Sequence, residues 1–77
     1  MSALPHYSMV IAWSEEDQAY LVTLPEWAER AQMPITHGHT HQEAALRGLR
    51  ALESLIEQAA EDGKPLPSSA VVQQGVG

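Results

Sequence analysis

The chain of 77 residues contains no cysteine, and its basic residues are outnumbered ten to four by acidic ones. The absence of cysteine excludes disulfides and thiolate metal sites. The net charge of −6 leaves too few bases for the positive patch that nucleic-acid binding requires. We therefore expect a positively charged protein as the partner rather than DNA or RNA. The bases are Arg30, Arg47, Arg50 and Lys64.

Long apolar runs and catalytic motifs are also missing. No run of about 18 apolar residues is present, so we predict no membrane span. The first residues lack a basic segment followed by an apolar one, so we expect no secretory signal and a cytoplasmic location. The chain has no nucleophile motif, phosphate-binding glycine loop or basic groove, and we predict that it is not an enzyme and has no cofactor.

The length predicts one domain over residues 1–77, with its core in residues 7–67. A domain this small buries only about 60% of its unfolded surface. Its stability then needs a supplement, and without disulfides the favoured one is self-association. We expect a homo-oligomer, either a dimer or a tetramer.

Alternation of apolar and polar residues predicts strands at residues 7–13 and 18–24, and a third, short strand is expected at 35–39. Pairing Trp13 with Gln18 places the large apolar side chains of the first two strands on one face, because a slip of one residue would invert a strand. The opposite face carries smaller residues and is available for association. These residues are Ser8, Val10, Ala12, Ala19, Leu21 and Thr23.

One long helix is predicted over residues 41–62. Thr40 and Glu43 match a capping box, and Gly63 is a natural residue to end the helix. The expected apolar stripe consists of Ala45, Leu49, Leu52, Ile56 and Ala59, widened by Leu46 and Leu55. The fold class is α+β, with a three-stranded antiparallel sheet covered by one helix in a two-layer arrangement. Residues 68–77 form either a tail or a short fourth strand at residues 70–73, which gives the order β-β-β-α-(β).

Three segments together resemble the HicB-like antitoxins. The hairpin from Tyr7 to Glu26 ends in proline and an acidic residue, as in that family. The segment from His37 through Ala45 resembles the family's entry to the helix, and Gly63-Lys64-Pro65-Leu66-Pro67 resembles the exit. The resemblance implies an antitoxin of a type II toxin–antitoxin pair, which binds and masks a HicA-like toxin, a small basic ribonuclease that cuts mRNA.

The chain also departs from that family. Many members carry a C-terminal DNA-binding segment, which this sequence lacks, so we expect no direct nucleic-acid binding. The connection between Glu26 and Gly38 is longer than usual and has no cysteine. His39 stands where an acidic residue is frequent. A relative that keeps the fold without a toxin partner is an alternative interpretation.

Two sets of side chains are candidate partner-binding residues. Glu53, Glu57 and Glu61 recur at intervals of four on the predicted helix. Such a stripe is mildly unfavourable for the helix, so it is either a docking surface for a basic partner or a solvated face. Trp27 is either an exposed interface anchor or a side chain folded over the sheet edge.

Three alternating histidines, His37, His39 and His41, are candidate ligands of a metal ion. Neutral imidazole is a good ligand for zinc or nickel, and this cluster supports the alternative of a metal- or small-molecule-binding domain. The simpler interpretation is three solvent-exposed histidines beside the start of a helix.

Overall fold

The computed structural model describes residues 6–67. These residues form an antiparallel sheet of order β1-β2-β3, and one helix packs on one face of it. The predicted α+β fold of order β-β-β-α is confirmed. No helix in the described part of the chain has the length and apolarity to cross a membrane. The elements are β1 (Val10–Ser14), β2 (Ala19–Thr23), β3 (Thr36–Gly38) and α1 (His41–Glu61), with a 3-10 turn at Pro25–Trp27.

The predicted fourth strand at residues 70–73, and the alternative of a tail over residues 68–77, lie outside the described residues. Within the described ones, β3 is shorter than the predicted 35–39. It contains only Thr36–Gly38 and follows a cis peptide bond between Met33 and Pro34.

The register of the β1–β2 hairpin differs from the predicted one by two residues. Trp13 lies opposite Tyr20, not Gln18. The turn begins one residue later than expected, because the backbone N–H of Asp17 donates to Ser14 Oγ at 3.2 Å and Gln18 adopts a left-handed conformation with φ of 50°. A shift of two residues preserves the side of each side chain. The predicted division between the two faces therefore holds although the pairing was wrong.

The core lies between α1 and one face of the sheet. Its largest fully buried side chains are Trp27, Leu24 and Val22. The helix comes close to the sheet at Gly48, where an added Cβ would lie 2.8 Å from the Met9 sulfur and 2.9 Å from a Val22 methyl group. Glycine at this position therefore allows the helix to lie closer to the sheet than a residue with a side chain would.

Local hydrogen bonds define both ends of α1. Thr40 Oγ1 accepts from the Glu43 N–H at 3.0 Å, as the capping box predicts. The Glu43 carboxylate, however, accepts from the backbone N–H of His39 at 2.6 Å and not from that of Thr40. At the other end Gly63 has φ of 67°, and the N–H of Lys64 donates to the Ala59 carbonyl. This is a Schellman ending.

Candidate functional site

The side of α1 that points away from the sheet carries two leucines and three glutamates. Intervals of three and four residues place them along one side of a helix, and all five are exposed. We call this surface the outer face. It consists of Leu46, Leu49, Glu53, Glu57 and Glu61.

The two leucines of the outer face were expected in the core, and that expectation was wrong. Leu46 is 50% exposed and Leu49 is 42% exposed. The helix instead turns small residues, Ala44 and Gly48, toward the sheet. Because the layers are too close there for a leucine, the larger side chains lie outside. In the sequence, the recurrence of Ala44, Gly48 and Leu52 at intervals of four indicates the side of the helix that lies against the sheet.

The carboxylates of the three outer-face glutamates have no hydrogen bond or ion pair with any of residues 6–67. They follow the leucines along the helix and lie in its C-terminal half, where negative charge opposes the helix dipole. Helix stability therefore does not account for them. The outer face combines an apolar half with an acidic half, which together suit a partner surface that is basic and partly apolar.

Glu43, at the start of the same helix, has several partners. The N–H of His39 donates to its carboxylate and lowers the pKa of Glu43 below its ordinary value, and the Arg47 guanidinium, 3.4 Å away, adds to the effect. Glu43 and Arg47 thus form an ion pair between residues four apart on the helix. This carboxylate contributes to the fold, whereas those of the outer face form no hydrogen bond or ion pair within the described chain.

Trp27 is part of the core. It is 2% exposed and meets the ring of Tyr7 edge-to-face, with centroids 5.6 Å apart. The Arg30 guanidinium lies 5.6 Å from the centroid of the indole. The exposed interface anchor, one of the two alternatives for this residue, is therefore not what the structure shows. The 3-10 turn beginning at Pro25 carries the indole inward.

A cleft of about 220 Å³ opens beside Trp27, at the end of α1. Two of the four basic residues of the chain, Arg30 and Lys64, line it together with Gln58 and Asp62. Arg30 already donates to the Pro65 carbonyl at 2.7 Å. The cleft is small compared with usual ligand pockets of about 300–1,000 Å³.

The three candidate metal ligands have different surroundings. His37 lies on β3 and is exposed on the sheet face opposite the helix. His39 Nδ1 lies 3.3 Å from a Glu43 carboxylate oxygen. His41 packs against the ring of Tyr20, with centroids 4.1 Å apart. Within residues 6–67, no group of three histidine or acidic side chains is arranged to hold a metal ion.

The chain is a small α+β protein, and the outer face of α1, with its exposed leucines and glutamates, is its candidate binding surface. In comparisons with known proteins, no family model, no curated protein and no solved structure matched the chain.

Proposed function

We propose that this chain is an antitoxin-like interaction module, acting in the cytoplasm, that binds and masks a small basic HicA-like mRNA-cleaving toxin. It acts by covering its partner and not by catalysis. The observation that carries the proposal is the exposure of Leu46 and Leu49 directly beside three unpartnered glutamates. The resemblance of the hairpin, helix entry and helix exit to the HicB-like antitoxins supports the same partner.

The physical basis of binding follows from the two halves of the outer face. The acidic half attracts a basic protein over a distance and accelerates association. The apolar half, Leu46 and Leu49, loses its contact with water on docking and slows dissociation. A chain with net charge −6 repels RNA, so it competes with RNA for the toxin without binding RNA itself.

The first experiment tests the acidic half. We expect Glu53→Lys/Glu57→Lys to slow association with a basic HicA-like toxin by roughly tenfold at low salt. The control is Glu16→Lys/Glu29→Lys, which changes the net charge by the same amount at exposed positions away from the helix. Equal slowing by both pairs would show that only net charge matters, and an unchanged rate in the helix variant would remove the acidic half from the proposal.

The second experiment tests the apolar half. Leu49→Ala should weaken toxin binding by about 1–2 kcal/mol, mainly through faster dissociation. The matched control is Leu66→Ala, since Leu66 is also 42% exposed but lies beyond the helix. Protection of mRNA from cleavage should fall in parallel with affinity for Leu49→Ala and stay at the wild-type level for the control. If neither Leu49→Ala nor Glu53→Lys/Glu57→Lys changes binding of the toxin, or no basic protein co-purifies with the chain, the proposed function is wrong.

A further inference from the structure

Trp13 lies near the end of β1, with its side chain on the face of the sheet that α1 covers. It is nevertheless 45% exposed, because the helix packs mainly over β2 and β3. Its partner across the hairpin, Tyr20, meets it edge-to-face with ring centroids 5.0 Å apart. The indole is therefore supported by the hairpin while much of its surface remains in contact with solvent.

A carboxylate is held against this exposed ring. The indole N–H of Trp13 donates to Glu15 Oε2 at 2.9 Å. The other carboxylate oxygen of Glu15 has no hydrogen bond or ion pair within residues 6–67, and two more acidic residues, Glu16 and Asp17, follow in the same turn. An aromatic ring beside an available carboxylate oxygen suits a cation, which gains cation–π attraction from the ring and a charge-assisted hydrogen bond from the oxygen.

The bases of the chain lie away from Trp13. Arg47 reaches the opposite edge of the sheet, where its guanidinium donates to a carbonyl of β3, and Arg50 follows it on the same flank of α1. The two other bases line the cleft at the end of the helix. Residues 1–5 and 68–77 contain no basic side chain. A basic side chain placed over Trp13 therefore comes from another molecule.

Trp13 lies on the same side of the domain as the apolar half of the outer face. Leu49 is two residues after Arg47 and thus about 200° around the helix from it, on the flank that points away from β3 and toward β1. Tyr20, which contacts Trp13, also packs against His41 in the first turn of α1, with ring centroids 4.1 Å apart. A partner that docks on Leu49 is therefore on the side of the domain from which Trp13 is reached.

We propose that Trp13 and Glu15 bind one arginine side chain of the basic toxin, with the guanidinium stacked on the indole and hydrogen-bonded to Glu15. This inference rests on the proposed function for the source of the arginine. Arginine fits the pair better than lysine, because its planar guanidinium stacks on an aromatic ring and directs several N–H donors in one plane. The ammonium of lysine is a compact, strongly hydrated charge.

The first experiment needs no toxin. The chain has two tryptophans and hence two indole N–H signals in a ¹H–¹⁵N spectrum, and Trp27, in the core, is the internal control. A short arginine peptide should shift the Trp13 signal and leave that of Trp27 in place. The matched citrulline peptide, which has nearly the same shape without the charge, should bind at least about tenfold more weakly, and a lysine peptide should also bind more weakly than the arginine peptide.

Three results of this titration overturn the proposal. An unmoved Trp13 signal would mean that the ring is closed to the peptide, as it would be if residues 68–77 covered it. Equal binding of the arginine and citrulline peptides would remove the role of charge. Equal binding of the arginine and lysine peptides would remove the stacked guanidinium.

The second experiment uses variants of the full chain with the toxin. Glu15→Gln keeps an acceptor for the indole N–H but removes the charge, and we expect roughly tenfold weaker binding. Glu16→Gln, the same change at the next exposed residue, should weaken binding less than about twofold. Trp13→Phe should bind more tightly than Trp13→Leu, because phenylalanine keeps a ring face and leucine keeps only apolar area. Equal affinities within either pair of variants would contradict the proposal.

Failure of the arginine site and failure of the proposed function give different results. If the arginine peptide binds at Trp13 but no HicA-like toxin binds the wild-type chain, the proposed function is wrong and the arginine site stands. If the toxin binds the wild-type chain and Trp13→Leu equally well, the arginine site is wrong, and the proposed function then depends on the outer face alone.

Discussion

The two sides of α1 differ in which residues they bury, and the buried side is not the one with the most leucines in the first half of the helix. The side that meets the sheet carries Ala44, Gly48, Leu52 and Ala59 as its buried residues. The opposite side exposes Leu46 and Leu49 together with three glutamates. The buried side thus has small residues in its first half, at Ala44 and Gly48, and larger ones only further along, where Leu55 and Ile56 pack against the core. Two leucines of the first half are about half exposed.

This difference shows that the distance between layers decides which residues of a helix are buried. Hydrophobic periodicity alone favours the side with the most large apolar residues. In this fold the close approach at Gly48 requires small residues against the sheet, so the helix is rotated away from the arrangement that periodicity predicts. The leucines left outside are then available for a partner.

The largest effect should come from truncating one leucine to alanine on each side of the helix and comparing the losses of stability. Leu52→Ala removes a leucine that is 4% exposed and should lower the free energy of unfolding by about 3 kcal/mol. Leu49→Ala removes one that is 42% exposed and should cost less than about 1 kcal/mol. Urea denaturation of both variants gives the comparison. Equal losses would mean that the two sides of the helix are not distinguished by burial.

Smaller effects, opposite in sign to each other, are expected from alanine at a buried and at an exposed position of α1. Gly48→Ala gains helix propensity but brings a Cβ within 3 Å of Met9 and Val22, so we expect a net loss of about 1 kcal/mol. Ser54→Ala, at an exposed position of the same helix, should gain a few tenths of a kcal/mol. Thermal denaturation measures both. A more stable Gly48→Ala variant would show that Met9 and Val22 move aside at little cost.

The smallest effect concerns the glutamates of α1. Because the pKa of Glu43 is lowered in the folded chain, its contribution to stability is present above the unfolded-state pKa and is lost as the pH falls through the folded-state pKa. Glu43→Gln should therefore be less stable than wild type at neutral pH and equal to it in acid. Glu57→Gln, which removes a carboxylate without a partner among the described residues, should keep the wild-type pH dependence. Denaturation midpoints across the acid range separate the two, and parallel curves for all three proteins would contradict the role of Glu43.

The candidate site could be predicted only in part. The glutamates of the outer face were found from their spacing, because intervals of four place side chains together on any helix. Leu46 and Leu49 were assigned to the core, since nothing in their own spacing distinguishes a buried stripe from an exposed one. Trp27 lies in a segment without periodicity, and its burial depends on the 3-10 turn and on contact with Tyr7.

The amino-acid sequence by itself determined the three strands, the single helix and the side of each strand on which the large residues lie. It also determined both ends of the helix. These features depend on alternation and on hydrogen bonds between residues a few positions apart, such as Thr40 with Glu43. Tertiary structure alone decided the hairpin register, the rotation of α1 and the separation of the three histidines. Each of these features depends on contacts between segments that are distant in the sequence. Those contacts are determined jointly by the side chains of the helix and of the sheet, so no local pattern reveals them.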